Sequence, residues 1–133
     1  MPFLAILLLA LLTVLPASAQ VAPTEADLRA YRGLHAAAAR GDVADIEARI
    51  AAGVNKEALD ARHRTPLHVA VYGKQHDAAR VLMRLGADPN KLDIDRYDII
   101  TIAAVANDVP MLKPRLKAAA TRRLSPAFMT ARR

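Results

Sequence analysis

The chain of 133 residues contains no cysteine and no tryptophan. Without a thiol there is no disulfide, no cysteine nucleophile, no thiolate metal site and no attachment point for a lipoprotein anchor. Serine is nearly as scarce. It occurs at Ser18 and Ser125, close to the two ends, so no serine nucleophile stands in the middle of the chain. The 5 glycines are scattered and make no phosphate loop. Of the four histidines, His35, His63, His68 and His76, a zinc constellation of His63, His68 and Asp60 matches no strong ligand spacing. Asp93 and Asp95 read as solvated loop acids. The expectation is therefore no catalytic residue, no metal and no cofactor.

What is present is unevenly placed. The opening MPFLAILLLALLTVLPASAQ has an uncharged apolar run from Phe3 to Leu15, preceded by no Lys or Arg and broken by Pro16. The run is too short to span a bilayer and ends in the small residues Ala17-Ser18-Ala19, which a signal peptidase accepts. The reading is a signal peptide over 1–19, a mature chain from Gln20, and a periplasmic or secreted protein with no stable membrane span. At the other end, seven of the 19 basic residues lie from Lys113 onward with no acid among them. The rest of the chain carries 12 basic against 13 acidic residues and is nearly neutral. Such a tail can bind a membrane surface or nucleic acid by releasing counterions. A solvated, disordered tail over 124–133 is the simpler reading, and no nucleic acid is expected.

Between these ends the sequence repeats itself. Leu34, Leu67 and Ile100 are 33 apart, as are Ala37, Ala70 and Ala103. The same step links Gly53 to Gly86 and Asp60 to Asp93, and it runs through Ile46, Ala79, Leu112 and through Ile50, Met83, Leu116. A period of this length indicates stacked supersecondary units, each too small to bury its own apolar face. Thr65 is placed to cap a helix that Pro66 can start, with Leu67, Ala70 and Val71 on one face. A second helix then runs to about Leu85, with Ala78, Ala79, Leu82 and Met83 inward, and Gly86 ends it in a left-handed turn. Val43, Ile46 and Ile50 repeat this pattern between Asp42 and Gly53. Upstream, Thr24 and Asp27 have capping-box spacing for a short leading helix.

The stretch TPLHVAV followed by LMRLGADPN resembles the ankyrin repeat, whose unit reads T-P-L-H-x-A, then a second helix, then G-A-D-x-N. The resemblance is close over Thr65 to Asn90, partial over Leu34 to Asp60 and weaker over Asp98 to Ala120. It implies an all-α fold, an α-solenoid of helix-turn-helix repeats with β-hairpin-like loops. The implied organisation is a capping segment over 20–33 and repeats at about 34–64, 65–97 and 98–123, the last degenerate. A small exported bacterial-type member with about three repeats fits these limits. The resemblance also implies that His35 and His68 hydrogen-bond the backbone of neighbouring loops.

Departures from the pattern mark weak points. His63 and Arg96 stand where the family has a loop glycine, and Arg there implies strain or a rearranged hairpin. Lys74 stands where the inter-helix glycine is expected, with Gly73 one place early, which predicts a turn shifted by one residue. Pro114 interrupts the last helix, so poor order is expected from about Lys113. Truncation of a longer ankyrin protein is an alternative account of that end.

The function implied by the resemblance is protein recognition by hairpin tips and the concave inner-helix face. By position the tips are Ala61, Arg62, His63 and Arg64 in one loop and Ile94, Asp95, Arg96 and Tyr97 in the next, with Tyr72 on an inner helix. The partner-binding set is thus Arg62, His63, Arg64, Tyr72, Asp95, Arg96 and Tyr97. The expectation is a monomeric, non-catalytic adaptor or scaffold whose partner is another protein.

Overall fold

The computed structural model describes residues 21–113, and every described element is helical. The signal peptide over 1–19, Pro114, the end of the third repeat and the tail over 124–133 lie outside the described residues. Six helices are defined: α1 (Glu25–Ala30), α2 (Gly33–Arg40), α3 (Val43–Ala51), α4 (Pro66–Tyr72), α5 (His76–Arg84) and α6 (Ile99–Val105). Residues 109–113 are helical as well. Helices α2, α4 and α6 pack side by side as an inner row, and α3 packs on α5 behind them.

Local chemistry sets where each helix starts. The Thr24 side chain accepts from Asp27 N–H while the Asp27 carboxylate accepts from Thr24 N–H, which is the capping box expected for α1. Asp42 and Asp98 cap α3 and α6 through their carboxylates. Thr65 caps α4, with Pro66 where no N–H is needed. Each such cap is worth about 1 kcal/mol.

The row is close-packed because alanine sits where its helices meet. Ala37, Ala70 and Ala103 are each fully buried, and Leu67, Ile46, Leu82 and Ile102 fill the space around them. No single helix pair encloses that core, so stability belongs to the stack.

The inter-helix turn does not shift at Gly73. The left-handed residues are Gly41, Lys74 and Asn107, at φ 71°, 54° and 50°, still in the 33-residue register. Gly73 itself closes α4 with φ −81°. Hydrogen bonds hold the position: Gln75 N–H donates to Ala70 O at 2.8 Å and Lys74 N–H to Val71 O at 3.1 Å, a Schellman motif. Asp42 and Gly41, and Asp108 and Asn107, make the equivalent pairs in the other units. The motif thus forces a lysine into a conformation that suits glycine. Lys74→Gly is expected to raise stability by about 1 kcal/mol, the left-handed cost less glycine's unfolded-state entropy. A higher urea midpoint at unchanged slope is the readout.

The hairpins are likewise not rearranged. His63 and Arg96 both take the left-handed conformation, at φ 56° and 65°. Asp60 N–H donates to Arg64 O at 3.0 Å, and Asp93 N–H to Tyr97 O at 3.1 Å. Each aspartate also wraps its own loop. Asp60 Oδ1 accepts from Arg62 and Arg64 N–H at 2.8 Å, and Asp93 Oδ1 from Asp95 and Tyr97 N–H at 3.0 Å. These bonds offset the strain at the tip. Ile94 N–H donates to Arg62 O at 3.0 Å, so the second hairpin lies against the first.

Candidate partner-binding surface

The two hairpin tips stand in register. Ala61 and His63 are exposed on one, and Ile94, Asp95 and Arg96 on the next. Arg62 Nη2 and Asp95 Oδ2 are 2.7 Å apart across the pair, with each side chain about one-third exposed. A pair that open to water stabilises little, about 0–1 kcal/mol. It bridges two tips whose spacing is set by the Ile94 N–H to Arg62 O bond.

Arg64 is not a tip residue. Only 1 % of its surface is exposed, because the chain turns inward after His63 and carries the guanidinium between the first hairpin and α1. Nε donates to Asp60 Oδ2 at 2.7 Å and Nη2 to Asp27 Oδ2 at 3.3 Å. Tyr31 OH donates to the same Asp60 oxygen at 2.7 Å. The result is a knot of Arg64, Asp60, Asp27 and Tyr31, buried at Arg64 and Asp60 and open to water at Asp27, that ties the leading helix to the first hairpin.

Tyr72 and Tyr97 also serve the framework. Both are half-buried against the core. Tyr72 OH donates to Asp93 Oδ2 at 2.9 Å, which braces α4 against the second hairpin. The Tyr97 carbonyl lies 3.2 Å from His68 Nε2. Thr65 N–H donates to His68 Nδ1 at 3.1 Å, so Nε2 carries the proton and donates to Lys91 O and Tyr97 O. His35 Nε2 contacts Arg64 O at 3.0 Å, one repeat earlier. Both histidines therefore tie neighbouring loops. Of the expected binding set, His63 and Arg96 are freely presented, Arg62 and Asp95 partly so because they pair with each other; Arg64, Tyr72 and Tyr97 are packed behind them.

The knot shifts its own titrations. Burial and donation to Asp60 push the Tyr31 phenol up, and burial and donation to Asp93 do the same to Tyr72. Burial alone raises the Asp60 carboxyl, but hydrogen bonds from Tyr31 and Arg64 bring it below the usual value. Burial likewise opposes the Arg64 charge, and Asp60 outweighs it. A phenol whose folded pKa is raised adds stability that is complete below its unfolded value and is lost as pH rises above it. Stability is therefore expected to fall above about pH 10, and to fall less steeply in Tyr31→Phe and Tyr72→Phe. Denaturation midpoints across an alkaline pH series give the measurement.

A groove of about 290 Å³ lies between the inner helices and the leading segment. Ala22, Pro23 and Leu28 form one wall, and Ala39, Val69 and Tyr72 the other. Among the described residues no group of histidines and acids is placed to hold a metal, and no helix is long and apolar enough to cross a membrane.

Residues 9–113 match a family model described as ankyrin repeats in three copies. The fold is similar to the crystal structure of the human ASB11 ankyrin repeat domain, with a TM-score of 0.59 and 25% sequence identity. That similarity covers 65% of this chain and 39% of the other, so the chain spans about two fifths of that domain's length. A comparison with curated proteins gave no match.

Proposed function

The chain belongs to the ankyrin-repeat family, and from that membership we propose that it is an exported, non-catalytic protein-interaction module. Ankyrin repeats are in general modules that bind other proteins, so recognition of another protein is the broad function. The finer reading is a monomeric adaptor or scaffold, periplasmic or secreted, that reads its partner with the hairpin tips and the inner-helix face. The leader pattern over 1–19 supports export.

One observation carries the placement of the site. The two tips project His63 and Arg96 from the same position of successive repeats, and the 2.7 Å Arg62–Asp95 pair bridges them. Arginine and histidine on tips held at fixed spacing offer directional donors at small ordering cost. Replacing Arg62, His63 and Arg96 together by Ala is expected to weaken partner capture at least about tenfold, since two or more interface anchors are lost. The circular dichroism should not change, because none of the three is in a helix. Undiminished capture by the triple variant contradicts the placement.

A further inference from the structure

A second groove, of about 390 Å³, lies between α1 and α2 and shares Leu28 and Ala39 with the first. Arg29, Arg32 and Arg40 border it, and no acid does. Leu28, Ala36 and Ala39 give it an apolar lining, and Tyr31 completes the wall. That tyrosine is held at both ends. Its hydroxyl donates to Asp60 at 2.7 Å, and its ring stacks on His35 with centroids 5.5 Å apart.

The three cations keep unused donors. Among the described residues every arginine pairs with a carboxylate except Arg96, on a hairpin tip, and Arg32, in this groove. Arg32 Nη1 donates to Arg29 O at 2.7 Å and to Tyr31 O at 2.8 Å, which fixes the guanidinium and leaves Nε and Nη2 without a partner among the described residues. Its neighbours are loosely engaged. Arg29 Nη2 lies 3.8 Å from Glu25, both side chains being open to water. Arg40 Nη2 lies 3.4 Å from Asp45, whose other oxygen is 2.9 Å from Arg49 Nε. Open pairs of this kind hold little, so they yield to a better-placed anion.

Charge and shape select the occupant. Residues 21–113 carry 13 basic and 13 acidic residues, so the stack as a whole has no excess charge to draw it to a membrane or a nucleic acid. The excess is local to the groove. A concave site with an apolar lining and a cationic border fits an acidic side chain beside an aliphatic one, as a peptide segment presents them.

We propose that the groove between α1 and α2 docks an acidic segment of the partner protein. One carboxylate takes the free edge of Arg32 in two parallel bonds, and Arg29 and Arg40 flank it. Because two carbonyls already hold Arg32, little ordering cost is left for binding. This proposal rests on the reading of the chain as a protein-interaction module. It adds the chemistry of the partner and a second contact surface besides the hairpin tips.

The test uses the isotopically labelled full chain, as wild type and with Arg29→Gln, Arg32→Gln and Arg40→Gln combined, titrated with hexaglutamate and, as control, hexaglutamine. Backbone amide signals report where each peptide lands. Hexaglutamate is expected to shift the amides of Ala36 and Ala39 in the wild type, and to do so at least about tenfold more weakly in the triple variant, which loses a charge-assisted fork. Hexaglutamine should shift neither form. Shifts confined to residues from Lys113 onward, equal affinity of the two forms at Ala36 and Ala39, or equal binding of hexaglutamine overturns the proposal. If the triple variant misfolds, Arg32→Lys decides. It keeps the charge and loses the fork, so binding at the groove should weaken at least about threefold, and undiminished binding overturns the proposal. Phosphatidylserine vesicles that shift Ala36 and Ala39 where hexaglutamate does not assign the groove to a membrane surface and overturn it as well. Partner capture that depends on Arg62, His63 and Arg96 but survives the groove variant, with no hexaglutamate shift at Ala36 and Ala39, removes the groove and leaves the tips as the recognition surface.

Discussion

Asp60→Ala is expected to cost about 3–5 kcal/mol, the range for stripping a buried charge of its partner. The carboxylate receives Arg62 and Arg64 N–H on one oxygen and Arg64 Nε and Tyr31 OH on the other. Its removal leaves a guanidinium buried beside two unpaired amides and a phenol. Domains of this size have a total stability of about 5–15 kcal/mol, so the variant should lose a large share of it. A companion variant separates charge from packing. Adding Arg64→Leu to Asp60→Ala removes the stranded cation and should recover most of the loss. Urea denaturation of the two single variants and the double variant closes the cycle. A cost below about 1 kcal/mol for Asp60→Ala, the range of exposed pairs, contradicts the buried knot.

His68→Ala comes second in expected size. Its two ring nitrogens serve Thr65 N–H on one side and Lys91 O and Tyr97 O on the other, and the side chain is fully buried. Each group left unpaired costs about 1–3 kcal/mol. The damage should be local, because those carbonyls belong to the loop that leads into α6. Hydrogen exchange is expected to rise across Ile99–Val105 while Gly33–Arg40 stays protected. His35→Ala offers the comparison: it has one such bond and is half-buried, so about 0.5–1.5 kcal/mol is expected. Equal effects of the two variants contradict the role given to His68.

Much of this fold was legible because its signals are local or periodic. Thr65, Pro66, Asp42, Asp98 and Gly86 act through their own backbone neighbours, and the alanines at 37, 70 and 103 share one register. Lys74 was misread because residue type alone suggested that the turn would move to Gly73. The Schellman hydrogen bonds set the position, and they depend on helix length, not on which residue stands there. The candidate site was legible in half. His63 and Arg96 are exposed because a left-handed residue at a hairpin tip points into solvent. Arg64 was placed with them because nothing in its own repeat signals burial. Its partners Asp27 and Tyr31 come from the leading segment, which lies outside the 33-residue period. Tyr72 joins the binding set by its place on an inner helix, yet its hydroxyl finds Asp93 across 21 residues, a distance no local pattern encodes.

The central claim, that the hairpin tips recognise a protein, is tested most directly by photo-crosslinking from single positions of the full chain. A photoreactive side chain replaces His63, Arg96 or, as reference, Arg80, which is exposed on the outer helix α5. The two tip positions are expected to crosslink the same protein species in an extract of the source compartment, and Arg80 should give little of it. Equal yield from Arg80, or different species from His63 and Arg96, would contradict the account.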